Sequence, residues 1–463
     1  MGVTLKCSHV VTPAEPTWQG ILPLSELDQV AVISHTSVLY FYDRPTNQDW
    51  VDSSNTKVVN TLKDSLSRAL VSFYPLAGRL SWIAGSRLQL DCNALGCELI
   101  EADSTGKISD FGDFVECSKS MFRDLVSHID YTNTLINDIP LLSVQVTQFA
   151  CGGICLGIQF SHVLMDGRSV FHFIKGWARL AQGEPLEVEP FLDRLALKHI
   201  GTTVDPQVDP NQVTFAQVAD SYTSENPQAE VTELLSPTLV LMTGDRIESL
   251  KKMANKEHVA ELKSRPYSRF EVITGHVWKC MTKARDLEAD QITALYVIAD
   301  GRSRLDPPLP SSYFGNVVVP VITTSSAGEL LSKPLSYACS KVRESIKQLT
   351  NEYIKDTIEF FGKEENLSNH QFIDDRGDLV GNSKSSNDMW VTSSLNLLAQ
   401  GLDFGWGSEI YAGPPTGLGD DGNSLILPHY RHDGSVKLAI WLQDEEKSMK
   451  FIDFCVDNDM EQI

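Results

Sequence analysis

Nowhere in the 463 residues does an apolar run approach the roughly 20 residues that a helix needs to cross a bilayer. The first residues, Met1-Gly2-Val3-Thr4-Leu5-Lys6, form no apolar h-region, and Lys6 stands where a myristoylation signal carries Ser or Thr. The expectation is a soluble cytoplasmic protein with no membrane partner. Positive charge is also scarce: 39 Lys and Arg face 61 Asp and Glu, a net charge of −22. Phosphate backbones need a basic footprint, so nucleic acid is excluded as a partner. An acidic surface draws in cations or serves solubility alone. The nine cysteines are an odd number in a long chain, which argues for reduced thiols. Cys151 and Cys155 have the spacing of no common zinc knuckle and read as core thiols. Asp300-Gly301-Arg302 and Gly152-Gly153 make no phosphate-binding glycine loop. No short-period repeat is present.

What is there is apolar enough for more than one core. The chain is too long for one domain, and 42% of it is apolar. Residues 56–72 carry Val59, Leu62, Leu66, Ala69 and Leu70 on one helical stripe, which should stop before Tyr74-Pro75. Leu142, Val144 and Val146 alternate with polar residues as in a half-buried strand. Gly152-Gly153 turns the chain into a second strand, Ile154 to Phe160. Beyond Gly167 the residues Val170, Phe171, Phe173, Ile174, Trp177 and Leu180 have helical spacing. Residues 200–236, rich in Pro, Asp and Glu, read as a crossing linker between an N-terminal domain, 1–199, and a C-terminal one, 237–463. Residues 362–388 are polar and read as a loop.

Within this frame His162 leaves a strand and Asp166 precedes a helix. Thioester aminolysis or alcoholysis needs a base for the acceptor's proton and donors for the oxyanion. Imidazole is the side chain best matched to that base near neutral pH. A carboxylate four residues on either orients the ring or anchors the loop. His429 and His432, beside an Asp-Gly turn, suggest no more than a poor zinc pair, and no metal is expected. His276 and Trp278 fall on an apolar helix and read as core.

The motif His162-x-x-x-Asp166-Gly167, the later Asp403-Phe404-Gly405-Trp406-Gly407 and the intervening Tyr313-Phe314-Gly315-Asn316 resemble the BAHD acyl-CoA-dependent acyltransferases of plants. Phe73-Tyr74-Pro75-Leu76-Ala77-Gly78-Arg79-Leu80 and Ser424-Leu425-Ile426-Leu427-Pro428 extend the resemblance over essentially the whole chain. It implies an α/β monomer of two chloramphenicol-acetyltransferase-like domains, each a mixed β-sheet with helices, joined by a long crossover loop. It further implies His162 as general base, Asp166 and Gly167 as support of its loop with Arg302 or Arg304 as partner, and Asp403 to Gly407 as a shape-keeping segment. Acyl-CoA is then a co-substrate, and no metal or redox cofactor is implied.

Leu22 to Val30 and Leu39-Tyr40-Phe41-Tyr42-Asp43 resemble the hydroxycinnamoyl transferase branch, especially its spermidine-using members. That likeness implies an acyl pocket at Thr36, Val38 and Tyr40. Shikimate and quinate carry a carboxylate that calls for an arginine. Where relatives carry Trp-x-Arg-Leu-Pro, counting back from Asp403, this chain has Ser394-Leu395-Asn396-Leu397-Leu398, with Arg376 as a substitute elsewhere. A polyamine wants carboxylates and aromatic faces instead, in keeping with the net charge. Ser394 or the nearby Trp390 then supports the oxyanion. Lys251, Lys252, Lys256 and Lys263, with Arg265 and Arg269, form the densest basic stretch and the candidate site for CoA phosphates. The expected activity is transfer of a hydroxycinnamoyl group from CoA to a polyamine such as spermidine. The alternatives are an alcohol acceptor, or a degenerate paralogue that binds acyl-CoA or a small ligand without turnover.

Overall fold

The computed structural model describes residues 2–44, 55–112, 114, 120–198, 237–261, 265–368, 370, 387–395, 401–413, 421–429, 433–442 and 445–456. The linker at 200–236, Lys263, Arg376 and most of the 362–388 loop lie outside them.

Two six-stranded mixed sheets and one three-stranded sheet organise the chain. The first runs Val3–Val11, Cys97–Ser104, Leu142–Phe149, Ile154–Ser161, His35–Tyr42, Tyr411–Gly413. The second runs Val318–Ser326, Ile292–Asp300, Met389–Ser393, Asn423–Pro428, Val436–Ile440, Thr238–Met242. Side chains alternate along a strand, so each strand of a doubly covered sheet feeds two cores. In His35–Tyr42, Val38, Tyr40 and Tyr42 join one apolar cluster while Leu39 and Phe41 join another. The first cluster is closed by the helix Asn55–Ser72, which contributes Val59, Leu62, Leu66, Ala69 and Leu70, and by the helix Gly167–Ala181.

The second sheet packs one face against Gly244–Glu261, Arg269–Ala284, Leu335–Gln348 and Glu445–Val456. Of these, Arg269–Ala284 is buried almost all round, as its lack of a polar stripe requires. His276 and Trp278 are 3% and 0% exposed and belong to that core. The helix opens with a capping box, Ser268 and Glu271, and Arg343 pairs with the same carboxylate.

The sheets do not follow the two halves of the sequence. Tyr411–Gly413 pairs antiparallel with His35–Tyr42, placing Tyr411 opposite Phe41. Leu402, Phe404 and Trp406 lie in the first core. From the second sheet, Lys437 Nζ reaches the Phe114 carbonyl and the Tyr411 hydroxyl, each at 2.8 Å. These crossings tie the sheets together at the Phe41–Tyr42 end of the strand His35–Tyr42.

Candidate active site

His162 is the first residue past the strand Ile154–Ser161, whose Ser161 pairs with His35 in the neighbouring strand. Its backbone N–H donates to the Ser34 carbonyl at 2.9 Å. The residue is half-buried, with its ring Nδ1 shut off from solvent and without a hydrogen-bond partner. Burial pushes the imidazole below its ordinary pKa of 6.5, although its own carbonyl, the Asp166 charge and the Asn316 side chain pull the other way. His162 is therefore neutral near pH 7 and able to accept a proton.

Asp166 does not serve the imidazole. It is the N-cap of the helix Gly167–Ala181 and accepts from Ser169 N at 3.1 Å. Val317 N donates to its other oxygen at 3.0 Å. Arg302 completes the shell with two parallel bonds, 2.7 Å to Oδ2 and 2.9 Å to Oδ1. Burial alone would lower the Arg302 pKa, but the Asp166 carboxylate overrides it and the net change is upward. The same guanidinium donates to Ser169 Oγ at 3.1 Å and to the Gly315 carbonyl at 2.9 Å. Gly167 is the first residue of the helix. Arg304, by contrast, is exposed and makes no part of this cluster.

A second buried ion pair lies behind the loop. Asp28 caps the short helix Glu26–Gln29 through Ser25 and pairs with Arg194 at 2.5 Å, both nearly inaccessible. Arg194 also donates to the Leu164 carbonyl at 2.7 Å. Asn316 joins the two features. Its backbone N–H and Nδ2 donate to Asp28 Oδ1, at 2.8 and 3.0 Å, and Nδ2 also reaches the His162 and Val163 carbonyls, at 2.9 and 3.1 Å. The sequence assigns no role to Asp28, Arg194 or Asn316. Asn316 stands in a recognisable Tyr-Phe-Gly-Asn run, whereas nothing local marks Arg194.

The remaining residues spread over both halves. Thr36, Val38 and Tyr40 line up on one face of His35–Tyr42, with Thr36 half-buried and Val38 and Tyr40 buried. The Tyr40 hydroxyl has no partner, and burial, reinforced by the Glu409 charge, raises its pKa strongly. Ser394 follows the strand Met389–Ser393 and donates its N–H to the Ile426 carbonyl at 2.9 Å. Trp390 stacks on Tyr296 with centroids 4.1 Å apart. At ~3.3 Å per residue of strand, Trp390 is about 13 Å from Ser394, so the two cannot occupy the same place.

Asp403 Oδ1 accepts from Gly405 N and Gly407 N at 2.6 and 2.9 Å. Both glycines have positive φ, 108° and 116°, which a side chain would strain. Phe404 and Trp406 anchor the resulting turn against Trp177 and Tyr42. Lys251 leans on Glu248 at 3.2 Å, and Lys252 and Lys256 are exposed on a helix whose inner side buries Ile247, Leu250 and Ala254. Arg265 is held by Glu271, and Arg269 donates to the carbonyls of Gly434 and Ser435.

Residues 1–455 match the model of the transferase family. The chain is 39% identical to the hydroxycinnamoyl-CoA:piscidic acid hydroxycinnamoyltransferase of Actaea racemosa, covering 95% of this chain and 96% of that protein. It is 36% identical to the shikimate O-hydroxycinnamoyltransferase of Nicotiana tabacum, covering 97% and 98%. Anthranilate N-benzoyltransferase protein 2 of Dianthus caryophyllus is 34% identical, covering 97% and 98%. Among solved structures, vinorine synthase shares the fold with a TM-score of 0.72 at 22% identity, over 97% of this chain and 96% of that one. The chain belongs to this transferase family, the BAHD acyltransferases, and is an acyl-CoA-dependent acyltransferase.

Proposed function

We propose that this enzyme transfers a hydroxycinnamoyl group from its CoA thioester to an amine nitrogen of a polyamine, spermidine being the type, with His162 as the general base. The observation that carries the mechanism is an imidazole whose burial lowers its pKa, fixed through its backbone on both sides and not engaged by the carboxylate four residues on. An aliphatic amine with a pKa of about 10 must lose a proton before it attacks. Once neutral, it adds to the thioester carbonyl while His162 takes the second proton. The tetrahedral intermediate then collapses, the amide remains, and the thiolate of CoA leaves with the proton held by His162. A donor at the oxyanion, for which Ser394 is the candidate, is worth about 100- to 1,000-fold in rate. Thr36, Val38 and Tyr40 would receive the acyl group. Lys251, Lys252, Lys256 and Lys263 would meet the CoA phosphates.

The polyamine is favoured by the net charge of −22 and by Ser394-Leu395-Asn396, which lacks the arginine that a carboxylated acceptor would need. A second reading is favoured by the relatives, whose names specify piscidic acid, shikimate and anthranilate as acceptors. The pure enzyme with p-coumaroyl-, caffeoyl- and feruloyl-CoA against spermidine, putrescine, shikimate and anthranilate, followed by mass, separates the readings. Amides of spermidine support the proposal. Acylated shikimate or anthranilate without any polyamine amide overturns it, and no product with any pair marks a binding paralogue.

A further inference from the structure

We propose that Asn316 is the positioning residue of His162: its Nδ2 clamps the loop carbonyls while its Oδ1 takes the imidazole Nδ1 proton, leaving Nε2 bare for the acceptor. The inference rests on the reading of His162 as base.

The orientation of the Asn316 amide is dictated by its surroundings. One end faces Asp28 Oδ1 at 3.0 Å, the His162 carbonyl at 2.9 Å and the Val163 carbonyl at 3.1 Å. All three are acceptors, so that end is the NH2 and the amide cannot be flipped. Asp28 is itself immobilised by Arg194 at 2.5 Å and by Ser25 Oγ at 2.7 Å, and Asn316 N adds a further bond to it at 2.8 Å. Oδ1 is thereby turned to the other side, where it is buried and has no partner. The only ring nitrogen of His162 in the same condition is Nδ1. A buried acceptor and a buried imidazole N–H that both lack partners are each costly to leave so. Asn316 Nδ2 holds the His162 carbonyl at 2.9 Å, and its side chain is among the influences that pull the His162 pKa upward against burial. Catalytic hydrogen bonds are commonly loose before substrate enters and tighten around it. The competitor for the Nδ1 proton is the carbonyl of His162 itself, which already accepts from Asn316 Nδ2 but keeps a second lone pair, so the Asn316→Ala spectrum decides between them.

The test uses the full chain labelled with 15N in its histidine rings, without substrates, at mildly alkaline pH. The His162 signals are assigned by their loss in His162→Gln. The expected result is a proton on Nδ1 and a bare Nε2 in the wild type, and a mixture of tautomers in Asn316→Ala. With whichever acceptor is used, Asn316→Ala should lower kcat about 100-fold at unchanged KM for the acyl-CoA. A wild-type proton on Nε2 overturns the proposal. So does an Asn316→Ala spectrum identical to the wild type, because the His162 carbonyl would then hold the proton. Asn316→Ser takes the place of the alanine variant should that fail to fold. No acceptor enters the spectroscopic arm, so an error in the assigned acceptor leaves it intact. If His162 were not the base, the tautomer pattern would hold while kcat stayed unchanged.

Discussion

Burial drives two neighbouring histidines in the same direction. His35 bonds Tyr131 Oη and the Pro140 carbonyl, each at 2.9 Å, and desolvation brings its pKa down from 6.5 to about 4. The unfolded chain therefore binds more protons than the folded one between these values, and stability rises with pH across that window. Conversely, acidification from pH 6.5 toward 4 should cost on the order of 3 kcal/mol through this residue alone. Urea unfolding at several pH values, repeated with His35→Asn, reads that slope, which should flatten in the variant. His162 is lowered as well, so with an acceptor that does not itself titrate, such as an alcohol, the acid limb of kcat/KM should lie below pH 6.5. A limb above that value would mean that another group titrates. The sequence singles out His162 among eleven histidines by its place between a strand and a helix and by the resemblance of its motif. Its surroundings are not legible there: no spacing rule says that Nδ1 is shut off from water or that Asn316 bonds the His162 carbonyl.

At the level of elements, the strand, loop and helix around His162 could be read from periodicity. The apolar alternation ends at Phe160, and the helical stripe begins at Val170. Periodicity does not supply what holds the loop, because Arg302 arrives from 136 residues away along the chain; the family resemblance is what points to Arg302, with Arg304 as the alternative. Such a contact depends on how two sheets meet, and local pattern is blind to it. Removing one member of a buried ion pair leaves an unpaired charge and typically costs about 3–5 kcal/mol. Arg302→Met should lower the thermal midpoint accordingly and reduce kcat through a loosened loop. The double variant Asp166→Asn, Arg302→Met should recover part of the stability, since the stranded carboxylate is gone, and differential scanning calorimetry on both single variants and the double measures the coupling. The strand Tyr411–Gly413 was equally invisible, being three residues long and paired with a strand from the other end of the sequence.

Over the whole molecule, the resemblance in sequence supplied the two-sheet architecture, and the structure shows how thoroughly the halves interlock through Phe404, Trp406 and Lys437. Net charge also acts at this scale. An acidic molecule steers a polycation toward itself, and salt screens that field. With spermidine, kcat/KM should fall as ionic strength rises, whereas with an uncharged amine or alcohol it should change little. Equal salt dependence for both would remove charge as the basis of acceptor choice. The most direct measurement of the central claim is amide formation from p-coumaroyl-CoA and spermidine by the wild type and His162→Ala side by side, with folding of both checked by thermal melting. The account predicts the spermidine amide from the wild type and a rate lower by roughly 100- to 10,000-fold in the variant at a similar melting temperature. Full activity in His162→Ala, or acyl transfer to shikimate with no amide at all, would contradict it.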